Sequence, residues 1–209
     1  KGCPLKALPS EFLPRELSVL DLSESRIEQV WGWYSNNVAE KLMVIKLCNC
    51  YNLADIPNLS GHQNLEKLVL EGCCRLTKIH ESIGNISTLR HLKMRNCSNL
   101  IEFPTDISGL KHLENLVLSG CSKLKRLPND LRSLKCLKEF LLDETAIEEL
   151  PTFIYHLTKL EKLSLKRCQF LTTLPECIGH LCSLKELSLN NSAIKEIPDS
   201  VGSLSDLEI

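Results

Sequence analysis

Apolar residues recur along this chain in one short pattern, in which an aliphatic residue is followed by others three and five positions later. Eight copies of the pattern begin at Leu17, Leu42, Leu65, Leu89, Leu113, Leu137, Leu160 and Leu184, and a ninth start appears at Leu207. Successive starts lie 23 to 25 residues apart. A constant period of this kind indicates a solenoid, because one unit cannot bury its own leucines but stacked neighbours can.

The first half of each unit predicts one short strand, and alternation sorts its residues between two faces. The leucines point into the core, and the residues between them form an outward row of Asp21, Lys46, Val69, Lys93, Val117, Leu141, Ser164 and Ser188. Exposed apolar residues among charges are typical of a protein-binding face. The candidate binding face therefore comprises Val69, Glu71, Lys93, Arg95, Val117, Leu141, Asp143, Ser164, Lys166 and Arg167.

The second half of each unit reads Leu-Pro-x-x-Ile-x-x-Leu, as at Leu127-Pro128 and Leu150-Pro151. Proline cannot sit centrally in a sheet but suits an irregular segment or the first turn of a short helix. Together the two halves make the leucine-rich repeat signature. We predict an α/β solenoid, a right-handed β/α superhelix bent into a horseshoe, with one short parallel strand per repeat on the concave face and irregular or 3₁₀ returns on the convex face.

Three residues after each strand pattern comes a small or thiol side chain, at a position we call the slot. The slot residues are Ser25, Cys50, Cys73, Cys97, Cys121, Thr145, Cys168 and Ser192. We expect them to contact loop backbone that is otherwise unpaired where the chain leaves the strand. The next apolar residue follows two positions after Ser or Thr but three after Cys, which predicts two turn geometries.

The cysteine row does not predict a metal site. Neighbouring slots would lie about 4.8 Å apart in a line, whereas zinc needs four ligands that converge on a point. Cys177, His180 and Cys182, with His156 one repeat earlier, are interpreted as solvated convex-side residues. The odd count of eleven cysteines favours reduced thiols in a cytosolic or nuclear setting over a disulfide scaffold.

We interpret residues 1–209 as one domain, with 1–16 as the tail of a preceding repeat, 207–209 as the start of a further one, and no second domain. Neither end carries a polar capping repeat, so we expect a piece of a longer protein. The extra residues 31–37 of the first interval and the short return at 56–61 are expected on the convex or lateral side.

Composition and motifs exclude several function classes. A formal net charge of −1 gives no basic field for nucleic acid, and no apolar stretch is long enough to span a membrane. Hydroxyl, His and Asp residues are scattered without a catalytic motif, so no enzyme activity is expected. No phosphate-binding loop is present, and we expect no cofactor in this segment.

The chain resembles the first repeats of plant intracellular disease-resistance proteins of the TIR–nucleotide-binding type. The segments that carry the resemblance are 4–10 with 17–31, and the Gly-Cys repeats at 65–73 and 113–124. The resemblance implies that this region recognises a pathogen effector or a guarded host protein and restrains the nucleotide-binding module of its own chain. It also implies a cytoplasmic, or in some cases nuclear, location, with ADP binding and NADase activity outside this segment.

Two other classes of intracellular protein stay open. Ras-binding-type scaffolds have similar Leu-Pro returns, but they favour Asn in the slot and a uniform period. F-box substrate receptors also carry Cys in their repeats, but they usually lack the Leu-Pro return. Four Asn-x-Ser sequons, at Asn58, Asn85, Asn96 and Asn190, would fit an extracellular ectodomain. A glycan at Asn96 or Asn190 would crowd the sheet, which argues against that interpretation.

Overall fold

A computed structural model describes residues 2–9, 12, 15–28, 39–56 and 58–208, including all eight predicted strands. The strands are β1 Val19–Asp21, β2 Val44–Lys46, β3 Lys67–Val69, β4 His91–Lys93, β5 Asn115–Val117, β6 Glu139–Leu141, β7 Lys162–Ser164 and β8 Glu186–Ser188. Five 3₁₀ helices follow later strands, η1 Glu81–Asn85, η2 Asn129–Ser133, η3 Thr152–His156, η4 Glu176–His180 and η5 Asp199–Ser203.

The strands form one parallel sheet in the order β1 to β8, so each strand pairs with its neighbours in sequence. The pairing keeps the repeat in register, with Leu20 opposite Ile45 at one end and Leu163 opposite Leu187 at the other. Backbone hydrogen bonds continue the pairing past each strand, for example from Leu118 N to Leu141 O at 2.8 Å. The predicted leucine-rich repeat solenoid is confirmed.

The leucines of the pattern fill one continuous core between the sheet and the returns. Leu118 and Leu142 are fully buried in its middle, as is Phe140, the one aromatic residue in the strand pattern. Leu187 in β8 is half-buried because its strand has a partner on one side within the described chain. The inward assignment of the leucines is therefore correct.

Proline begins the returns as predicted. Pro128, Pro151, Pro175 and Pro198 each directly precede a 3₁₀ helix, where a missing N–H costs nothing because the first helical donors have no partner. In η1 the preceding residue is His80, whose ring accepts a hydrogen bond from Ser82 N.

The two irregular intervals differ in what the structure describes. Residues 31–37 lie outside the described residues, so the placement expected for them stays a prediction. In the short return at 56–61, Ile56 and Leu59 are buried in the core, and no helix forms in the described part. The hydroxyl of Ser82 accepts a hydrogen bond from Leu59 N, which joins this return to the next one.

The two predicted turn geometries are observed where the chain leaves the strands, with one exception. After four slot cysteines, the extra residue makes a turn closed by a hydrogen bond from the next core leucine back to the cysteine carbonyl, whereas Cys168 O accepts its hydrogen bond from Ala193 N of the next repeat. The four turn-closing bonds run from Leu53 N to Cys50 O, Leu76 N to Cys73 O, Leu100 N to Cys97 O and Leu124 N to Cys121 O. After Thr145 the chain continues to Ile147 without a turn, one residue shorter.

Candidate functional site

The predicted outward row lies on the concave face of the sheet in unbroken register. Lys46 pairs with Val69, Val69 with Lys93, and Lys93 with Val117. The row continues through Leu141 to Ser164. The structure therefore brings the candidate residues of neighbouring repeats together on one surface.

One expectation for this face is wrong, because its apolar residues are not exposed anchors. Val69, Val117 and Leu141 retain 6%, 4% and 9% of their accessible surface, and Ser164 retains 2%. Parallel strands lie about 4.8 Å apart, and the longer side chains on neighbouring strands cover short ones on the inner side of a curved sheet. A partner would meet the charged residues of this face first.

The charged candidates are accessible. Arg95 and Arg167 are exposed, and Glu71, Lys93, Asp143 and Lys166 are half-buried. Arg95, Asp143, Lys166 and Arg167 line a shallow depression of about 280 Å³ at the edge of the sheet where the strands end. We call this surface the concave edge.

Asp143 organises the concave edge. Its carboxylate accepts hydrogen bonds from the Ser164 hydroxyl, from Lys166 N at 2.9 Å and from the Ser119 hydroxyl at 3.3 Å. Three repeats are thereby held together through one side chain. These donors satisfy much of the hydrogen-bonding capacity of the carboxylate within the protein.

Three cations of the concave face have no side-chain partner among the described residues. Lys93, Arg95 and Lys166 make no side-chain hydrogen bond or ion pair with any described residue, whereas Arg167 pairs with Glu144 at 3.0 Å. Glu71 is an anion that also has no side-chain partner among the described residues. The concave face thus keeps three free cations beside one free anion among the candidate residues.

The opposite edge of the sheet carries a charge pattern that the sequence analysis missed. From the third repeat onwards, the residue after the first leucine alternates in sign, through Glu66, Arg90, Glu114, Lys138, Glu161, Lys185 and Glu208. Glu114 pairs with Arg90 at 2.7 Å and with Lys138 at 3.0 Å. These two cations, Lys138 first, lower the pKa of the Glu114 carboxyl. The repeat alignment shows this alternation when the same position is compared in successive repeats.

The cysteines of the slot bind backbone of the preceding repeat. Their thiols donate to the carbonyl oxygen of the last leucine or methionine in that repeat's strand pattern, at 3.1 to 3.3 Å. The pairs are Cys50 with Leu22, Cys73 with Leu47, Cys97 with Leu70, Cys121 with Met94 and Cys168 with Leu142. These five slot residues contact backbone as predicted, but the expectation that this backbone is otherwise unpaired is wrong. Each of the five carbonyls also accepts a hydrogen bond from the slot residue of its own repeat.

Thr145 fills the slot in a different way. Its hydroxyl donates to Leu142 O of its own repeat at 2.8 Å, the same carbonyl that accepts the Cys168 thiol. Ser25 and Thr145 each contact the thiol of the following repeat at 3.5 Å. Thr145 therefore bonds within its own repeat as well as to the next one, while the slot thiols donate to the preceding repeat.

Burial makes the slot thiols chemically inert. It raises the pKa of both Cys73 and Cys121 to about 12, and raises that of Cys97 further. A thiolate, which is the reactive and metal-binding form, is thus disfavoured in the row. Among the described residues, no group of three or more His, Cys, Asp or Glu side chains is arranged to hold a metal ion.

Directly before every slot, the backbone takes a positive φ. The residues are Glu24, Asn49, Gly72, Asn96, Gly120, Glu144, Arg167 and Asn191. Gly120 has φ +80, and a Cβ there would lie 2.2 Å from Asn96 Oδ1. Asn and Gly, the residues that tolerate this region best, occupy most of these positions, so the signal was present in the sequence. At Glu144 and Arg167 the strain places two charged side chains beside each other at the concave edge.

The convex-side histidines and cysteines stay separate from these surfaces. The Cys177 thiol donates to Thr152 O at 3.0 Å, and His180 lies beside Tyr155, with ring centroids 6.2 Å apart. No helix in the described ranges has both the length and the apolar character needed to cross a bilayer.

The family described as leucine-rich repeat region matches residues 42–172. The chain is 41% identical over 73 residues to disease resistance protein RRS1 of Arabidopsis thaliana and 41% identical over 85 residues to disease resistance protein RPV1 of Vitis rotundifolia. These matches cover 35% and 41% of the chain, and each spans 6% of the relative.

Solved structures agree with the fold. The Leptospira interrogans LRR protein LIC12759 superposes over 97% of the chain and 56% of its own length, with a TM-score of 0.65 and 26% identity. The family match covers more than half of the chain, and its strands keep the repeat in register throughout. The chain belongs to the leucine-rich repeat family and is similar to plant disease resistance proteins.

Proposed function

We propose that this chain is the protein-recognition module of a plant immune receptor. In that role it senses a pathogen effector or a guarded host protein and helps to hold the nucleotide-binding switch of the parent chain inactive. The similarity to disease resistance proteins supports the receptor context. The receptor would act in the cytoplasm, with access to the nucleus.

The observation that carries the proposal is the set of free cations on the concave face. Asp143 has three donors and Glu144 pairs with Arg167, which leaves Glu71 as the one anion of the candidate residues without a side-chain partner in the described chain. Lys93, Arg95 and Lys166 have no such partner in the described chain. A protein surface with exposed carboxylates would complement them, and charge of this kind contributes to association rate and specificity.

The same geometry supports binding without catalysis. The concave edge is an open depression of about 280 Å³, so it would not exclude water from a reacting group. Its Asp143 carboxylate is engaged by two hydroxyls and a backbone N–H. We propose that any nucleotide or cofactor chemistry of the parent protein lies outside this chain.

The test is charge reversal in the full-length receptor, expressed in leaf tissue. Lys93→Glu combined with Arg95→Glu should leave the melting temperature of the chain unchanged but alter cell death. The change would appear as activity without a pathogen, or as loss of response to a strain that the unmodified receptor detects. The matched control is Lys78→Glu with Lys123→Glu, which reverses two exposed lysines off this face. Unchanged responses in both assays would rule out the central concave face as the contact surface.

A further inference from the structure

A second surface lies on the side of the solenoid, between the strand ends and the returns of three successive repeats. It is a groove of about 970 Å³, and Ile101, Phe103, Leu127, Leu150 and Phe153 supply its apolar lining. It shares no lining residue with the concave edge. Its size is in the upper part of the range of small-ligand pockets, about 300–1,000 Å³, which leaves room for several side chains. We call this surface the lateral groove.

The lateral groove exposes the kind of side chain that the concave face hides. Phe103, Leu127 and Leu150 form a floor that is more than nine-tenths buried, while Ile101 at 53% and Phe153 at 36% exposure stand at either end. The Arg132 guanidinium lies 5.7 Å from the centre of the Phe153 ring and holds that ring at the rim. Clustered exposed apolar groups with a polar rim are typical of a protein-binding surface.

On this side of the solenoid, backbone hydrogen bonds join only some of the neighbouring loops. Ile101 N donates to Thr77 O at 2.9 Å, and Glu148 N donates to Lys125 O at 3.2 Å, so the loops on both sides are joined to their outer neighbours. Within the described chain, no backbone bond joins the loop at Ile101 to the loop at Lys125. Leu127 lies between these two loops as part of the groove floor, with 8% of its surface accessible.

The charge of the groove has the opposite sign to that of the concave edge. Four carboxylates line the groove, at Glu81, Glu102, Asp130 and Glu149, against the two cations Lys125 and Arg126. Lys125 is directed to Glu148, 3.6 Å away and outside the lining. Three cations against two anions line the concave edge. Asp130 pairs with Arg132 at 3.6 Å, and Glu81 accepts a hydrogen bond from Thr105 N at 3.2 Å. Among the described residues this leaves Glu102 and Glu149 without a side-chain partner against the single unpaired cation Arg126, so a basic partner is favoured at the groove.

We propose that the lateral groove binds an extended segment of a partner protein in which large apolar side chains are flanked by Lys or Arg. The apolar side chains lie over Leu127 between Ile101 and Phe153, and the basic residues meet Glu102 and Glu149. This site is independent of the concave face, so the receptor module would hold two protein surfaces of different chemistry.

The test uses two fluorescein-labelled pools of dodecapeptides, each with two large apolar residues, flanked by Lys or Arg in one pool and by Glu in the other. Fluorescence anisotropy with the full 209-residue chain should show binding of the basic pool and little binding of the acidic pool. Ile101→Ser with Phe153→Ser, and separately Glu102→Lys with Glu149→Lys, should each weaken binding at least tenfold. The charge variant changes exposed residues, so it keeps the test informative if the apolar variant folds poorly.

Two controls separate this proposal from the proposed function. Glu176→Lys with Glu196→Lys makes the same charge change at exposed positions of later repeats and should leave binding unchanged. Lys93→Glu with Arg95→Glu should also leave it unchanged, whatever the outcome of the cell-death assay. Equal binding of both pools, or full binding to the groove variants, would overturn the proposal. So would self-association of the chain that the groove variants abolish, because the occupant would then be a second copy.

Discussion

The concave face and the lateral groove are made from the same turns of chain, yet they present different side chains to solvent. On the concave face, hydrogen bonds at each rung hold the strands together, and Val69, Val117 and Leu141 are covered by their neighbours. In the lateral groove, no backbone hydrogen bond of the described chain joins the loops at Ile101 and Lys125, and Ile101 and Phe153 stay exposed. Exposure of an apolar residue is therefore decided by the spacing of its neighbours. Whether the residue points outward from its strand does not decide it.

The slot residues lie at the boundary of the concave face and the lateral groove and stabilise the shape of both surfaces. The residue before each slot has a positive φ and lies at the concave edge. The turn that follows a slot cysteine leads the chain into the lateral side. Each slot thiol is bonded to the preceding repeat, so both surfaces share one set of fixed points. A change in the core or the slot should affect both surfaces, whereas a change in a surface charge should affect one.

The largest effect is expected from Leu118→Asp. Leu118 is fully buried in the middle of the core, and an unpaired carboxylate there should lower the free energy of unfolding by more than about 4 kcal/mol. Both the concave face and the lateral groove would then lose their geometry together. Thermal unfolding followed by circular dichroism measures the effect, and Leu118→Met, with a cost below about 1.5 kcal/mol, is the control. Melting of Leu118→Asp like that of the unmodified chain would contradict the inward assignment.

A smaller loss is expected from Cys97→Ala. The Cys97 thiol is fully buried and donates to Leu70 O at 3.1 Å, so its removal leaves a small cavity and takes one of two hydrogen bonds from that carbonyl, which keeps the bond from Cys73 N. The free energy of unfolding should fall by about 2 kcal/mol in urea denaturation. Cys182→Ala, at an exposed thiol, should change it by less than about 0.5 kcal/mol. Equal midpoints for the two variants would mean that the slot thiol has no structural role.

The smallest effect is expected from Glu114→Gln, which changes the concave side alone. Because Lys138 and Arg90 lower the Glu114 pKa, the charged carboxylate stabilises the fold above its unfolded pKa, and this stabilisation is lost as pH falls through the folded pKa. The side chain is partly exposed, so we expect the substitution to lower the free energy of unfolding by about 0.5 kcal/mol at about pH 7. This difference should shrink towards about pH 3. Urea midpoints at both pH values test this. A difference that grows on acidification would contradict the sign of the pKa shift.

Much of the candidate site followed from the repeat pattern. Alignment on the leucines placed Lys93 beside Val69 and Val117, and it placed Cys97 in the same row as Cys73 and Cys121, because a parallel sheet with a constant period has one possible register. The alternating charges from Glu66 to Lys185 were accessible by the same alignment.

The sequence by itself determined which residues are neighbours, since the period fixes the stacking and the alternation fixes the face. Tertiary structure alone decided how far apart those neighbours lie. That distance buried Val117 where exposure was expected, brought the Asp143 carboxylate within reach of Ser164, and left the loops at Ile101 and Lys125 apart. The physical reason is that solvent access and hydrogen bonding change over about an ångström, which depends on every packed side chain and not on any local pattern.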